Sequence, residues 1–409
     1  MHAAFEFAIR QEPDEAAHYA AYGDWLHERG DPRGDFIQVQ LALEDETLAP
    51  ARRAELRARE AELLGQHEAA WLGPLAPFTK RDGGEEENTH RWARGFLHSM
   101  TIRTLPVALG RALRDSDEAR LLRELAIDTA DENYDFDRGE LAVEDDLPPD
   151  RDEVQYFTLG LYPILRAPVS FPCLRSFRFG YAPPYGRFED ERWIDSHSVF
   201  RDMPALIERM PRLEELALHC KDYDIRRVFA SSSLERLRIL RICHLGQHKR
   251  DRRKHEYPYP LNRLAANSAF ANLTHLLMHP HYDELHGSFL PLDQVRAVVT
   301  SPVLTKLTHL QARLSDMGDD GCRMLVETGA FRRLRWLDLR HGCITDEGAR
   351  VLAACPDIGN LAHLDLSRNA VTAAGLALLR DAGVNAFADS PLTEQELAER
   401  VYLHEGDFE

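Results

Sequence analysis

The sequence predicts an α/β protein: a curved parallel sheet backed by helices, preceded by a small all-α N-terminal domain. Three observations predict this fold class. Three C-terminal segments repeat at a fixed interval, looser copies of the same leucine pattern extend upstream to about residue 90, and residues 1–80 show helical patterns without that repeat. With 409 residues the chain is long for one globular domain, and a repeat array accounts for that length.

The repeat combines a strand pattern with a helix pattern. Leu307, Leu334 and Leu361 each start a six-residue pattern, LTHLQA, LRWLDL and LAHLDL, with apolar residues at the first, fourth and sixth positions, and they are spaced 27 residues apart. The tails GDDG, TDEG and TAAG align at one offset and lead into apolar residues at helical spacing. Because one strand and one helix recur at a fixed period, each copy must stack on its neighbours to bury its apolar face.

This period resembles the ribonuclease-inhibitor-like class of leucine-rich repeats, in which a helix backs each strand. The resemblance covers about residues 90–382 and implies a leucine-rich-repeat solenoid. Its leucines are expected to point into the core, and the residues between them to lie on a concave sheet face. Around Leu234–Ile242, two frames of the pattern fit. The looser strand patterns start at Leu97, Leu122, Leu174, Leu213, Leu234 and Leu273.

Residues 1–80 are predicted to form a helical domain. Gly30 is expected to end one helix, with Asp31 as the N-cap and Pro32 as the first residue of the next. The run YGDWLHERGDPRGDFI, which starts at Tyr22, is similar to the bacterial repeat-companion domain, a small helical module ahead of repeat arrays. That resemblance implies no catalysis. The charged residues of the run are therefore expected to cap helices and to form ion pairs.

Three insertions interrupt the predicted solenoid, near residues 128–153, 181–202 and 246–261. The first contains twelve acidic residues against two arginines, which is more than half of the chain's net charge of −18. The second is aromatic with mixed charge. Residues 383–409 are predicted to form a C-terminal helical cap, because a solenoid needs a polar cover at each end.

The third insertion is the candidate nucleic-acid site. Its candidate side chains are Lys249, Arg250, Arg252, Arg253, Lys254, Tyr257 and Tyr259. Basic side chains neutralise phosphates and tyrosines stack on unpaired bases, so residues 249–259 fit single-stranded nucleic acid. A chain with 68 acidic against 50 basic residues repels phosphate elsewhere, which makes nucleic acid the less favoured partner. The loop also fits a role as partner of the acidic insertion in the same chain.

The favoured binding site lies on the C-terminal half of the concave face. The outward positions of the regular repeats give the candidate residues His309, Arg313, Trp336, Asp338, Arg340, His363 and Asp365. A tryptophan among arginines is typical of interface hot spots, so an unidentified protein partner is expected there. The alternative is a solvated sheet face whose charges pair with one another.

No catalytic residues, metal site or cofactor are predicted. Phosphate-binding, zinc-protease and serine-hydrolase motifs are absent, and His275 and His279 with Asp283 or Glu284 match no zinc spacing. The six cysteines form no C-x-x-C pair, no apolar stretch reaches the ~18–20 residues that span a bilayer, and a basic leader is missing. We therefore expect a cytoplasmic, non-enzymatic protein-interaction scaffold without a membrane partner; the alternative is a nucleic-acid-associated regulator.

Overall fold

The computed structural model describes residues 2–79, 88–129, 134–135, 140–141, 159–166, 171–180, 200, 202–221, 223–245, 259–280 and 290–399. The chain divides into two compact units. One comprises Met1–Phe177 and Arg209–Arg212, and the other comprises Arg178–Glu208 and Leu213–Glu409. Parallel strands alternate with helices in both, and helices precede the first strand, which confirms the predicted fold class.

The first unit opens with helices whose ends follow the sequence signals. Helices α1–α4 span His2–Gln11, Ala16–His27, Pro32–Leu43 and Pro50–Leu72, and a 3-10 helix follows at Gly73–Phe78. The Asp31 side chain accepts a hydrogen bond from the Arg33 backbone N–H, and Pro32 begins α3, as predicted. Gly30 has a φ of 70°, a left-handed conformation that suits glycine at the turn between α2 and α3.

The sheet of the first unit begins with a hairpin. Strand β1 is antiparallel to β2, and β2 is parallel to β3; they span Thr89–Ala93, Phe96–Thr104 and Glu124–Thr129. Helix α5 lies between β2 and β3 in sequence, as the repeat requires. The other described elements are α5 (Val107–Asp115), 3-10 turns at Glu118–Leu121 and Leu159–Leu161, α6 (Tyr162–Leu165), and the short antiparallel pair β4 (Tyr134–Asp135) and β5 (Glu140–Leu141).

Arg33 fixes the N-terminal helices to the first repeat. Its Nη1 lies 2.6 Å from Glu118 Oε1, and its Nε donates a 3.1 Å hydrogen bond to the Gly95 carbonyl. The guanidinium also lies 5.0 Å from the Phe96 ring centroid and 5.5 Å from that of Trp71. Burial raises the pKa of Glu118, and Arg33 opposes that rise. The helices therefore pack against the first strands through a shared core and a buried ion pair.

The second unit continues the repeat. Strand β6 (Ser176–Phe179) lies across the division, and the described part of the second unit contains strands β7–β13, all parallel to their neighbours. They span Glu215–Lys221, Ile239–Leu245, His275–Pro280, His309–Ala312, Trp336–Asp338, His363–Asp365 and Ala386–Phe387. Helices α7–α14 span Met203–Ile207, Ile225–Phe229, Leu261–Ala266, Leu292–Val299, Gly318–Glu327, Asp346–Ala353, Ala373–Asp381 and Glu394–Ala398; 3-10 turns lie at Ser268–Phe270, Ala330–Arg332 and Ile358–Asn360.

The strand register explains the leucine pattern. Leu276, Leu310, Leu337 and Leu364 occupy equivalent positions on consecutive strands, and all four are buried. A column of leucines therefore runs through the core from one repeat to the next, and the residues that flank it in sequence point to the opposite face.

The register also settles the ambiguous frame on β8. Leu240, not Leu237, pairs with Leu216 on β7 and with Leu276 on β9. The predicted frame that starts at Leu234 is therefore wrong by three residues, because both frames place apolar residues in the core and only the neighbouring strands distinguish them. The frame that starts at Leu234 would place Arg236 in the outward column, just before its second leucine; the observed register places Ile239 there instead.

A carboxylate of one repeat accepts hydrogen bonds from the N-terminus of the helix in the next repeat. Asp319 accepts hydrogen bonds from the backbone N–H groups of Thr345 and Gly348, both at 2.9 Å, and from the Thr345 hydroxyl. One repeat later, the Asp346 carboxylate accepts hydrogen bonds from the backbone N–H and the hydroxyl of Thr372. Ala373 takes the place of this aspartate in the last copy, so the series of carboxylates ends there.

Asn369 supplies a second polar contact between repeats. Its side chain is fully buried; Oδ1 accepts from the N–H groups of Gly342 and Ile344, and Nδ2 donates to the carbonyls of Leu339 and Leu366. One asparagine therefore satisfies backbone groups of two consecutive repeats.

The predicted C-terminal cap and the insertions remain only partly described. Residues 383–399 contain β13 and α14, so the segment begins with a further strand rather than with a helix. Most of the three insertions lies outside the described residues.

Replacing Gly348 by alanine should destabilise the array. A Cβ there would lie 2.4 Å from Asp319 Oδ1 and 2.7 Å from Ile344 Cγ2, so the carboxylate must leave its three donors. We expect Gly348→Ala to lower the free energy of unfolding by about 1–3 kcal/mol in chemical denaturation. Gly359→Ala is the matched control, because nothing lies within 4 Å of its Cβ position. Equal midpoints for both variants would contradict this account.

Removing Arg33 should weaken the attachment of the N-terminal helices. Arg33→Ala leaves the Glu118 carboxylate buried without its cation, and we expect a loss of about 3–5 kcal/mol. Glu118→Gln in the same chain should recover part of that loss, because a neutral amide costs less to bury. Thermal and urea unfolding of the two single variants and the double variant measure this coupling, and purely additive effects would argue against it.

Candidate functional site

Five aromatic rings stack in a row across β9–β13. The row, called the ladder below, consists of His275, His309, Trp336, His363 and Phe387. Consecutive ring centroids lie 3.9, 6.3, 5.2 and 5.0 Å apart, and the planes of Trp336 and His363 differ by 6°. His275 and His309 lie at face-to-face distance, the longer separations of the next two near-parallel pairs are those of offset rings, and Phe387 is tilted by 34° from His363.

The repeat itself assembles the ladder. His275 pairs with His309, His309 with Trp336, and Trp336 with His363, so these four side chains occupy one outward column. The four are half-buried, and Phe387 is 37% exposed at the end of the row. The ladder therefore forms a stripe on the sheet face opposite the helices.

Threonines hold the first two histidines in one tautomer. The Thr274 hydroxyl donates to the Arg238 carbonyl at 3.0 Å, so its oxygen is left to accept from His275 Nδ1–H at 2.8 Å. Thr308 repeats this arrangement with His309 Nδ1, at 2.9 Å. Nδ1 therefore carries the proton in both neutral rings, and Nε2 remains an acceptor.

The ladder histidines are neutral at pH 7. Burial, with smaller contributions from the nearby His309, Arg238 and Arg241, lowers the pKa of His275 to about 4. Burial also lowers the pKa of His309, and it lowers that of His363 against the opposing effect of Asp365. At neutral pH the ladder is therefore an uncharged aromatic surface.

Stacking decides which part of each ring a ligand meets. Since His275 and His309 cover one face of each other, a ligand on the sheet contacts mainly the edges of these two rings. Ring edges carry the positive part of the aromatic quadrupole, and here they also carry the histidine Nε2 acceptors and the Trp336 indole N–H. This surface suits hydrogen bonding and apolar contact at the edges better than insertion of a flat ring.

An ion network lies beside the ladder and corrects part of the predicted site. Asp338 is 0% exposed and Arg313 is 6% exposed, with Arg313 Nε bonded to Asp338 Oδ2 at 2.9 Å. Arg340 bonds both Asp338 oxygens and lies 3.1 Å from Asp365. The expectation that Arg313 and Asp338 face a partner is therefore wrong, because their side chains are buried in a mutual ion pair. Burial raises the pKa of Asp338, and Arg313 opposes that rise.

The sequence-predicted sites differ in where the structure places them. His309, Trp336 and His363 come together in the ladder, with Arg340 and Asp365 at its border. His275 and Phe387 are additional members. His275 could be found from the sequence, because it directly precedes the second leucine of its strand pattern. Phe387 could not, because no leucine pattern surrounds it and its strand begins earlier than a 27-residue period predicts.

The candidate nucleic-acid loop is largely outside the described residues. Lys249, Arg250, Arg252, Arg253, Lys254 and Tyr257 all fall there. Tyr259 is described and is 0% exposed, so the expectation that it stacks on bases is wrong: its ring is part of the core.

Within the described residues the structure contains neither a metal-binding cluster nor a membrane-spanning helix. No three His, Cys, Asp or Glu side chains there come together as a metal ion requires, and Asp283 and Glu284 lie outside this part. No helix there has the length and apolar content needed to cross a bilayer.

Acidification should destabilise the second unit. The folded chain holds the pKa of His275 and His341 at about 4, whereas an unfolded histidine titrates near 6.5. The unfolded state therefore binds more protons between these values, and stability is lost as pH falls from about 6.5 towards 4. Thermal unfolding at several pH values measures this, and His275→Phe, which keeps a ring in the stack, should make the dependence shallower. The raised pKa of Asp338 acts in the opposite direction, so the comparison of the two proteins is decisive: an equally steep pH dependence with and without His275→Phe would contradict the assignment.

Comparison with known proteins identifies the repeat. Residues 334–353 and 360–379 match the model of the family described as Leucine Rich repeat. No curated protein matches the chain.

Solved structures show distant likeness. A Bacteroides fragilis protein has a TM-score of 0.44 and 15% identity, covering 84% of this chain and 87% of its own. An internalin from Listeria monocytogenes has a TM-score of 0.26 and 10% identity, with coverages of 80% and 95%. A leucine-rich-repeat protein from Leptospira interrogans has a TM-score of 0.23 and 12% identity, with coverages of 70% and 76%. All three TM-scores are below 0.5 and carry no argument about function.

The matched residues contain strands β11 and β12 and the helices that follow them. These are the repeats that are joined by the buried leucines, the Asp346 carboxylate and the Asn369 side chain. The chain therefore contains leucine-rich repeats, with helices ahead of its first strand.

Proposed function

We propose that this chain is a non-enzymatic scaffold that binds a protein partner on the ladder. The observation that carries the proposal is the row of five partly exposed, stacked rings on consecutive strands. A rigid sheet fixes their positions, so a partner does not have to order them on binding.

The energetics favour the centre of the ladder as the anchor. Tryptophan is enriched among residues whose truncation costs about 2 kcal/mol or more in an interface. Trp336 lies between the rings of His309 and His363, which hold the indole on two sides before any partner arrives.

Nucleic acid is the weaker candidate. Base stacking needs free ring faces, and His275 and His309 cover one face of each other. Tyr259, one of the two tyrosines in the candidate loop, is buried. A cytoplasmic location remains part of the proposal and is supported by the cysteine spacing.

Site-specific photocrosslinking tests the proposal. Ala362 is exposed beside His363, and Ala377 is exposed on α13, so a benzophenone side chain at either position samples opposite faces of the same repeat. In cells of the native host, we expect Ala362 to yield one discrete crosslinked protein and Ala377 to yield none. Crosslinks through Ala377 alone, or no discrete product through Ala362, would contradict binding on the ladder.

Truncation of the anchor gives the matched energetic test. Trp336→Ala should weaken binding of the crosslinked protein at least tenfold, as expected for loss of a hot-spot residue. Leu378→Ala removes a 40% exposed apolar side chain from α13 and should leave binding unchanged. Circular dichroism checks that both variants fold, and equal affinities of the two would count against the ladder.

A further inference from the structure

Two exposed arginines lie at the border of the ladder. Arg238 directly precedes Ile239 on β8, and Arg335 directly precedes Trp336 on β11. Neither forms an ion pair with a carboxylate in the part of the chain that the structure describes; the Arg335 guanidinium donates to the carbonyls of Leu334 and Arg332. Arg335 uses only Nη1 in those two bonds, so its Nε and Nη2 and the exposed Arg238 guanidinium can donate to an anionic ligand.

The local charge of this face opposes that of the chain. Among the described residues, the outward positions of β8–β12 and their borders include five arginines (Arg238, Arg241, Arg313, Arg335 and Arg340) against two aspartates (Asp338 and Asp365). Two glutamates, Glu214 and Glu215, lie beside Arg238 and Ile239 at the start of the neighbouring β7. The whole chain carries −18, so an acidic ligand is repelled by most of the surface and attracted to this face.

The hydrogen-bonding groups of the ladder fit a polypeptide. His275 and His309 offer Nε2 acceptors, which suit backbone N–H donors, and the Trp336 indole N–H suits a carbonyl or carboxylate. An extended peptide carries both kinds of group, whereas a sugar–phosphate backbone offers acceptors without N–H donors. Acidic peptide therefore fits this surface better than nucleic acid.

The spacing of the two arginines sets the spacing of the carboxylates. From β8 to β11 is three strand intervals, or about 14 Å at the usual separation of strands. An extended chain advances about 3.3 Å per residue, so about four residues cover that distance. Residues i and i+4 of an extended segment also point to the same side.

We propose that the ladder binds an extended acidic peptide segment that crosses strands β8–β11, with two carboxylates four residues apart on Arg238 and Arg335. An apolar side chain at the midpoint contacts His275 and His309. This inference rests on the proposed function and adds the chemistry of the partner to it.

Three short peptides test the inference on the full chain. The first has the sequence SETLTES, which places two glutamates at i and i+4 with leucine on the same side. The second, SQTLTQS, removes the charges, and the third, STELETS, keeps the composition and changes the glutamate spacing to i and i+2. Fluorescence anisotropy of labelled, end-blocked peptides measures each affinity at low and at higher salt.

We expect SETLTES to bind at least tenfold more tightly than SQTLTQS and several-fold more tightly than STELETS, with a salt-dependent affinity. Arg238→Ala and Arg335→Ala should each weaken SETLTES about twofold to fivefold, and together about tenfold. Arg380→Ala, an exposed arginine on α13, is the matched control and should change nothing.

Several results would overturn the inference. They are equal affinity for SETLTES and SQTLTQS, no saturable binding of SETLTES, tighter binding of the lysine peptide SKTLTKS, or tighter binding of a dodecamer of thymidylate. If Ala362 still crosslinks a partner in any of these cases, the acidic chemistry fails while binding on the ladder stands. If Ala362 yields nothing, the proposed function itself fails.

Discussion

The parallel register of β7–β13 is the constraint on which the rest of the second unit depends. It aligns one leucine of each strand into a buried column, and by the same alternation it aligns the outward neighbours into the ladder. Core and candidate site are therefore two consequences of one pairing. A shift of one residue would bury Trp336 among the leucines and expose Leu337, which the hydrophobic effect opposes strongly.

Polar groups make this register specific. Asp319 and Asn369 bond backbone donors of a neighbouring repeat, and a repeat out of register would leave those donors buried without acceptors. The Arg313–Asp338 pair acts beside the ladder in a similar way, since each charge is tolerated in the core only next to the other. In the first unit, Arg33 and Glu118 fix the N-terminal helices to the first strands.

Much of this could be predicted from the sequence, because period and alternation are local properties of a chain. The 27-residue interval gave the strands, the inward leucines and the neighbourhood of His309, Trp336 and His363. The frame of β8 could not be decided, since Leu237 and Leu240 are equally apolar and only the partner strands distinguish them. The burial of Asp338 and Tyr259 and the place of Phe387 in the ladder could not be predicted either, because each depends on contacts between residues that are distant in sequence.

The most direct measurement of the central claim is a crystal structure of the full chain with the peptide SETLTES. We expect the peptide to lie extended across β8–β11 over the ladder. One carboxylate should contact Arg238 and the other Arg335, with the leucine side chain against His275 and His309. A peptide bound on the helical side of the sheet, or one whose carboxylates meet neither arginine, would contradict it.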